Sequence, residues 1–173
     1  ADYGWEFHHI MNEVAKGKKT VLDIEHYFVK ELAKYPKNTI RMHFTSNHDE
    51  NSWNGTEFEL LAESVQTFAA LTYVIPGMPL IYNGQEVGFD KRLEFFEKDS
   101  IEWVEDSKFT ELYRKLNVLK GENSALAAGK TGADMVRVKT SNDVNVFSFV
   151  RSNENDKVFV VLNLSSLAQE ITI

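Results

Sequence analysis

Two short runs carry most of the chemistry available to this chain: Phe44-Thr-Ser-Asn-His-Asp-Glu-Asn-Ser-Trp53 and Pro76-Gly-Met-Pro-Leu-Ile-Tyr-Asn-Gly-Gln-Glu86. In the first, the imidazole of His48 stands beside the carboxylate of Asp49, with the amide of Asn47 before them and the indole of Trp53 just beyond. Alone, an Asn-His-Asp triplet suits a capped turn at a strand end as well as a ligand-binding pair, because short polar side chains bond readily to nearby backbone N–H groups. Asn47 is the member best fitted to hold such a turn. Glu86, at the end of the second run, is a tempting acid. Metal chemistry finds less support. His8 and His9 are sequence neighbours, so on a helix their rings point in different directions, and no third ligand follows at a suitable spacing. Asp49-x-Asn51 lacks the glycine and terminal glutamate of a calcium loop. The chain has no cysteine, which removes disulfides and thiolate metal sites.

The elements that must position these residues follow from periodicity. Thr20 to Tyr35 places Ile24, Tyr27, Phe28, Leu32 and Tyr35 on one helical face that only Glu31 interrupts, with Thr20 as N-cap and Asp23 in the first turn. Pro36 ends that helix. Thr39 to Phe44 reads as a strand running straight into Asn47-His48-Asp49. Thr56-Glu-Phe-Glu59 matches a capping box and opens a helix whose packed face is Phe58, Leu61, Ala62, Val65, Phe68, Ala69 and Thr72, stopped by Pro76-Gly77. Met78 to Tyr82 is a second apolar strand. This strand, loop, helix, strand series is a parallel βαβ pattern, and polar clusters at its strand ends are where α/β barrels place their chemistry.

Residues 87 to 107 read as a charged loop whose Phe95-Phe96 pair can anchor it to the barrel mouth. A helix over Lys108 to Lys120 follows, with Phe109, Leu112, Leu116 and Leu119 on one side and Gly121 suited to its C-cap. From Met135 the period shortens. Met135 to Thr140, Val144 to Arg151, Lys157 to Leu164 and Gln169 to Ile173 are four strand candidates of an antiparallel meander. Trp5 and Trp103 are expected in core or interdomain packing, and the two histidines at 8 and 9 on the surface or in the core.

Length and charge bound the answer. A complete eight-unit barrel needs about 250 residues, so 173 residues hold only two or three strand-helix units and a small second domain. A formal net charge of −7 with scattered lysines argues against a nucleic-acid partner, because phosphate binding relies on clustered cations. No apolar run reaches about 18 residues, so no membrane-spanning helix is expected. The compartment is left open.

Together the two runs, with Ile101-x-Trp103, Leu112-Tyr-Arg-Lys-Leu116 and Glu122-Asn-Ser-Ala-Leu126, resemble the closing motifs of the α-amylase family, glycoside hydrolase family 13. The resemblance covers about the whole chain and is strongest from Thr39 to Glu86. It implies an α/β plus β fold class: the C-terminal part of a (β/α)8 TIM barrel over residues 1–121, then a partial antiparallel β-sandwich domain over 122–173. It also implies roles. Asp49 would be the catalytic carboxylate that stabilises the transition state, and His48 would bind a hydroxyl of the same sugar. Asn47 and Trp53 complete the expected substrate-binding set, Trp53 by offering its ring to a glucose face. Glu86 becomes a strand-end residue near the floor of the site.

The family's nucleophile motif, Gly-x-x-x-Asp-Ala, and its acid/base glutamate motif have no counterpart here. The chain is therefore expected to be a piece of a retaining α-1,4-glucan hydrolase acting on starch or maltodextrin, inactive when isolated. A transglycosylase of the same family and a non-catalytic glucan-binding or assembly protein are the alternatives. No cofactor is expected within the chain, although calcium is possible in the parent. The expected partner is an α-glucan, with a homodimer possible through exposed barrel edges.

Overall fold

A computed structural model describes all residues, Ala1–Ile173. Three short parallel strands, β1 (Asp2–Tyr3), β2 (Arg41–His43) and β3 (Met78–Pro79), form one sheet in the order β1-β2-β3. Helices α1 (Trp5–Ala15) and α2 (Val21–Lys34) follow β1, α3 (Glu57–Leu61) and α4 (Val65–Val74) follow β2, and α5 (Lys108–Glu122) follows β3. The expected strand-helix alternation is thus present as three units of an open sheet, without a closed barrel. Tyr3 stands opposite Met42 and His43 opposite Pro79. The strands are shorter than the apolar runs at 39–44 and 78–82, because a ladder extends only as far as a neighbour supplies bonds.

Local signals place the helix starts. Thr20 and Asp23 form a capping box on α2, Thr56 and Glu59 another on α3. Glu31, the apparent break in the apolar face of α2, accepts from the Nε–Nη2 edge of Arg41 (Nε to Oε2 2.6 Å, Nη2 to Oε1 3.4 Å), and Arg41 Nη1 also donates to Asp2 at 2.6 Å. One cation therefore ties α2, β2 and β1 together. Leu32, by contrast, is exposed rather than packed.

The single helix expected after Thr56 is broken. Ala62 adopts φ +50° between α3 and α4, a conformation disfavoured for a residue with a Cβ. The break lets α3 lie against α1 while α4 packs on α5 and β3. Gly121 lies inside α5, whose C-cap is Asn123. Gly77, with φ +130°, has a strict reason to be glycine: a Cβ there would stand 2.5 Å from the Arg41 carbonyl oxygen.

A second sheet holds β4 (Met135–Arg137), β5 (Val146–Ser152) and β6 (Lys157–Asn163), antiparallel and in sequence order. The expected fourth strand is not one. Residues 169–173 meet the 141–142 turn through Ser141 N–H to the Thr172 carbonyl (3.0 Å) and the Asn142 amide to Gln169 (2.6 Å), too few bonds to make a ladder. A single three-stranded sheet is present where a sandwich would require two.

The inner face of β5 and β6 (Phe147, Phe149, Val160) joins Phe7, Met11, Ile24, Phe68 and Leu71 in one buried cluster. Arg151 lies at the seam. Its fully buried guanidinium donates to the carbonyls of Val74 (3.1 Å), Ile75 (3.0 Å), Ala133 (3.0 Å) and Ala127 (3.3 Å). Val74 and Ile75 end α4, where carbonyls have no helical partner and a cation is favoured. Lys120 assists by donating to the carbonyls of Tyr73 (3.0 Å) and Leu126 (2.9 Å). Burial pulls the Arg151 pKa down to about 10 and that of Lys120 to about 8.

Candidate functional site

Beyond β2 the chain runs through Phe44, Thr45, Ser46 and Asn47, all buried, and then surfaces at His48. Asn47 makes the turn. Its Oδ1 accepts from the backbone N–H of Asp49 (3.0 Å) and of Glu50 (2.8 Å), while its Nδ2 is buried without a partner. The next two side chains therefore project from a fixed backbone. The side chains of His48 and Asp49 are 58% and 46% exposed, and Nε2 of the first lies 3.6 Å from Oδ1 of the second. Both remain free to contact a ligand. Trp53, 58% exposed, closes a single wide helical turn over Glu50–Asn54, and Asn54 returns to Glu50 through a 3.0 Å bond.

Two buried networks hold this segment from below. In one, His8 on α1 donates from Nδ1 to the Phe44 carbonyl (3.2 Å), while its Nε2 lies 3.0 Å from Glu50 Oε2 and 3.1 Å from the Asn12 amide. Burial lowers the His8 pKa against the opposing pull of Glu50. His9, its neighbour, is exposed, so the two rings do diverge.

In the second network, Oε2 of Glu57 accepts from Thr45 Oγ1 (2.9 Å) and from Gln85 Nε2 (2.5 Å), and Gln85 Oε1 accepts from the Tyr82 N–H (2.6 Å). Glu57 thereby joins the strand ends of β2 and β3. Its Oε1 is buried and unpartnered, and burial pushes its pKa up to about 7. Glu86 is a turn residue, accepting from the Gly84 N–H at 3.0 Å.

Sequence reasoning missed Glu57 and did not foresee the pairing of His8 with Glu50. Glu57 stands between the two partners of a capping box, so its local context explains Glu59 and says nothing about a carboxyl turned inward. The one available signal was Gln85, a buried-type polar residue in the second run. Trp103 corrects another expectation: it is exposed on the 87–107 loop, whereas Trp5 is half-buried and stacks on Tyr3. No group of three or more His, Cys, Asp or Glu side chains is disposed to hold a metal ion, so the residues present do not form a calcium cage and no step is assigned to one. No helix is long and apolar enough to cross a membrane.

A family model described as the alpha-amylase catalytic domain matches residues 2–158. The alpha-amylase MalA of Haloarcula japonica is 29% identical over 137 residues, which are 76% of this chain and 19% of that protein. Alpha-amylase 2 of Dictyoglomus thermophilum is 25% identical over 161 residues, 83% of this chain and 25% of its own length. The chain thus spans only a fifth to a quarter of these relatives. A solved structure, the maltogenic alpha-amylase AmyB from Thermotoga neapolitana, superposes with a TM-score of 0.80 at 21% identity, covering 94% of this chain and 37% of that one. At that identity the likeness is one of fold. It agrees with reading the open parallel sheet and its helices as part of a barrel.

Proposed function

This chain belongs to the alpha-amylase family, and from that membership we propose that it is the C-terminal portion of a retaining glycoside hydrolase that cleaves α-1,4 bonds in starch or maltodextrin. Residues 1–121 then supply the last units of the barrel and 122–173 part of a C-terminal β domain. The observation that carries the reading is the placement of Asp49: half-exposed, beside His48, on a turn that Asn47 holds, at the C-terminal end of a parallel strand. Chemistry in α/β barrels sits at that end.

A retaining mechanism uses one carboxylate as nucleophile and one carboxyl as acid/base, through an oxocarbenium-like transition state. Asp49 is the third carboxylate. Anchored before the reaction begins, it stabilises positive charge that develops on the sugar more than it stabilises the ground state, and this difference is what accelerates the step. His48 donates a hydrogen bond to a hydroxyl of the same unit, and Trp53 covers the C–H face of a glucose ring. Asn47 acts through the backbone, by fixing where His48 and Asp49 project.

The nucleophile and acid/base motifs have no counterpart in these 173 residues, so the chain by itself releases no reducing sugar from maltodextrin. The test is direct. A longer protein containing this sequence should hydrolyse maltodextrin and lose that activity on Asp49→Asn, while the 173-residue chain stays silent; sustained turnover by the chain alone, abolished by Asp49→Asn, would overturn the reading. Product analysis in the same assay separates hydrolysis from glucosyl transfer. The open edges at β1 and β3 also support self-association, which light scattering of the isolated chain would register as a dimer.

A further inference from the structure

One buried imidazole reaches both ends of the segment that carries Asp49. From α1, His8 donates through Nδ1 to the carbonyl of Phe44 (3.2 Å), the first residue beyond β2, and its Nε2 lies 3.0 Å from Oε2 of Glu50, the residue after Asp49. Its ring also lies flat against that of Phe44 (centroids 4.7 Å, 20°). Glu50 in turn accepts from Asn54 at its other carboxylate oxygen (3.0 Å) and donates its backbone N–H to Asn47 (2.8 Å). His8 and Glu50 thus close a bracket around residues 44–50, with Asp49 inside it.

The support from which the bracket springs is firm. The Gly4 N–H, at the start of α1, donates to the Met42 carbonyl of β2 (2.9 Å), and Phe7 and Met11 of α1 lie in the buried cluster. The side chains of His8 and Glu50 are 0% and 6% exposed. This chain alone supplies that burial, and any further chain packed on it can only deepen it. An apolar pair of similar volume often fills such a space without loss of stability, so packing does not account for the choice of an imidazole and a carboxyl. Because the Phe44 carbonyl can only accept, Nδ1 keeps its proton, and the contact with Glu50 is held by a second proton lying between Nε2 and Oε2.

We infer that His8 and Glu50 are positioning residues for Asp49, acting through the backbone of residues 44–50 without touching substrate. This rests on the α-glucan reading of Asp49. A carboxylate that stabilises developing charge does so only where the charge appears, so a misplacement of about 1 Å costs rate far more than it costs binding.

Kinetics of a longer protein containing this sequence, with 4-nitrophenyl α-maltotrioside as substrate, test it. Glu50→Ala opens the bracket without leaving a buried carboxylate unpaired. It should lower kcat about ten- to hundredfold and change KM by less than about threefold. Glu50→Gln, whose amide supplies the proton to Nε2, should recover most of that loss. In the Asp49→Asn background Glu50→Ala should cost less than about twofold, because the group it positions is gone. An equal factor in both backgrounds is the mark of a smaller folded fraction; it overturns the inference and leaves the reading of Asp49 standing, as does an unimpaired kcat in Glu50→Ala. If Glu50→Ala does not fold, His8→Asn, which keeps a donor for the Phe44 carbonyl and is too short to reach Glu50, is carried through the same two backgrounds under the same criteria. Undiminished activity of Asp49→Asn itself overturns the reading of Asp49, and this inference with it.

Discussion

The two ends of the parallel sheet treat buried polar groups in opposite ways. At the end where β3 is entered, Arg151 and Lys120 spend their donors on main-chain carbonyls, six bonds in all that clamp α4, the 127–133 connection and β5 together. At the end where β2 is left, Ser46 Oγ, Asn47 Nδ2 and Glu57 Oε1 are buried without partners, against His43 Nδ1 beside Pro76 at the other, and His48, Asp49, Trp53, Phe95 and Phe96 face solvent. Unsatisfied buried groups cost stability. The contrast sets an end whose buried cations hold the fold against an end left open, which is the division the proposed glucan site requires and which α/β barrels show between their two faces.

The strongest way to break this comparison is at the clamp. Arg151→Ala strands the carbonyls of Val74, Ile75, Ala127 and Ala133, and should lower unfolding free energy by about 3 kcal/mol or more. Urea denaturation measures it; a loss below about 1 kcal/mol would remove the contrast. The reciprocal variant is Asp49→Asn in a longer active protein. It should cost about a hundredfold or more in kcat, yet shift the urea midpoint of this chain hardly at all, because the side chain is already half-exposed.

Glu57→Gln sharpens the point through pH. The folded-state pKa of Glu57 is raised from 4.5 to about 7 by burial, so the folded chain keeps a proton that the unfolded chain has released. Its contribution to stability is therefore full below about pH 4.5 and is lost as pH rises to about 7, a change of up to about 3 kcal/mol. Buried His43 works in the opposite sense: its pKa is lowered from 6.5 to about 4, so stability is lost as pH falls through that range. The wild-type profile blends the two slopes. Stability of Glu57→Gln measured from pH 4.5 to 7.5 should lose the decline on the alkaline side; an unchanged slope would show that Glu57 is not buried as a neutral acid.

Smaller effects follow. Gly77→Ala forces a Cβ toward the Arg41 carbonyl at φ +130°, and should cost about 1–3 kcal/mol, read as a lower melting temperature. Arg114→Ala removes only an exposed pair with Glu111, remote from both ends, and should change stability by less than about 0.5 kcal/mol.

Much of the frame was legible residue by residue. Thr20 with Asp23 and Thr56 with Glu59 announce helix starts because both partners of a capping box lie within one turn. Pro76-Gly77 announces a stop because ring closure and a missing Cβ act on the local backbone. The β-rich runs at 144–151 and 157–164, with a polar turn between them, give paired strands, and Asn47-His48-Asp49 with Gly77-to-Glu86 points to the family that the match over residues 2–158 bears out. Each of these signals is carried by short runs of residues, read from the sequence alone even where two runs must be combined.

What tertiary structure alone decided involves partners far away in the chain. Glu31 looked like a flaw in an apolar face until Arg41 folded onto it, and Leu32 looked buried although no neighbour covers it. The break at Ala62 lets two short helices meet different surfaces, which no propensity records. Residues 169–173 have strand-like composition but lack a neighbour to complete a ladder. Arg151 reads in sequence as the end of a strand, and Glu57 as a helix-start acid. Their burial, and hence their charge and their worth to the fold, is set by carbonyls and hydroxyls that only long-range packing brings within hydrogen-bond distance.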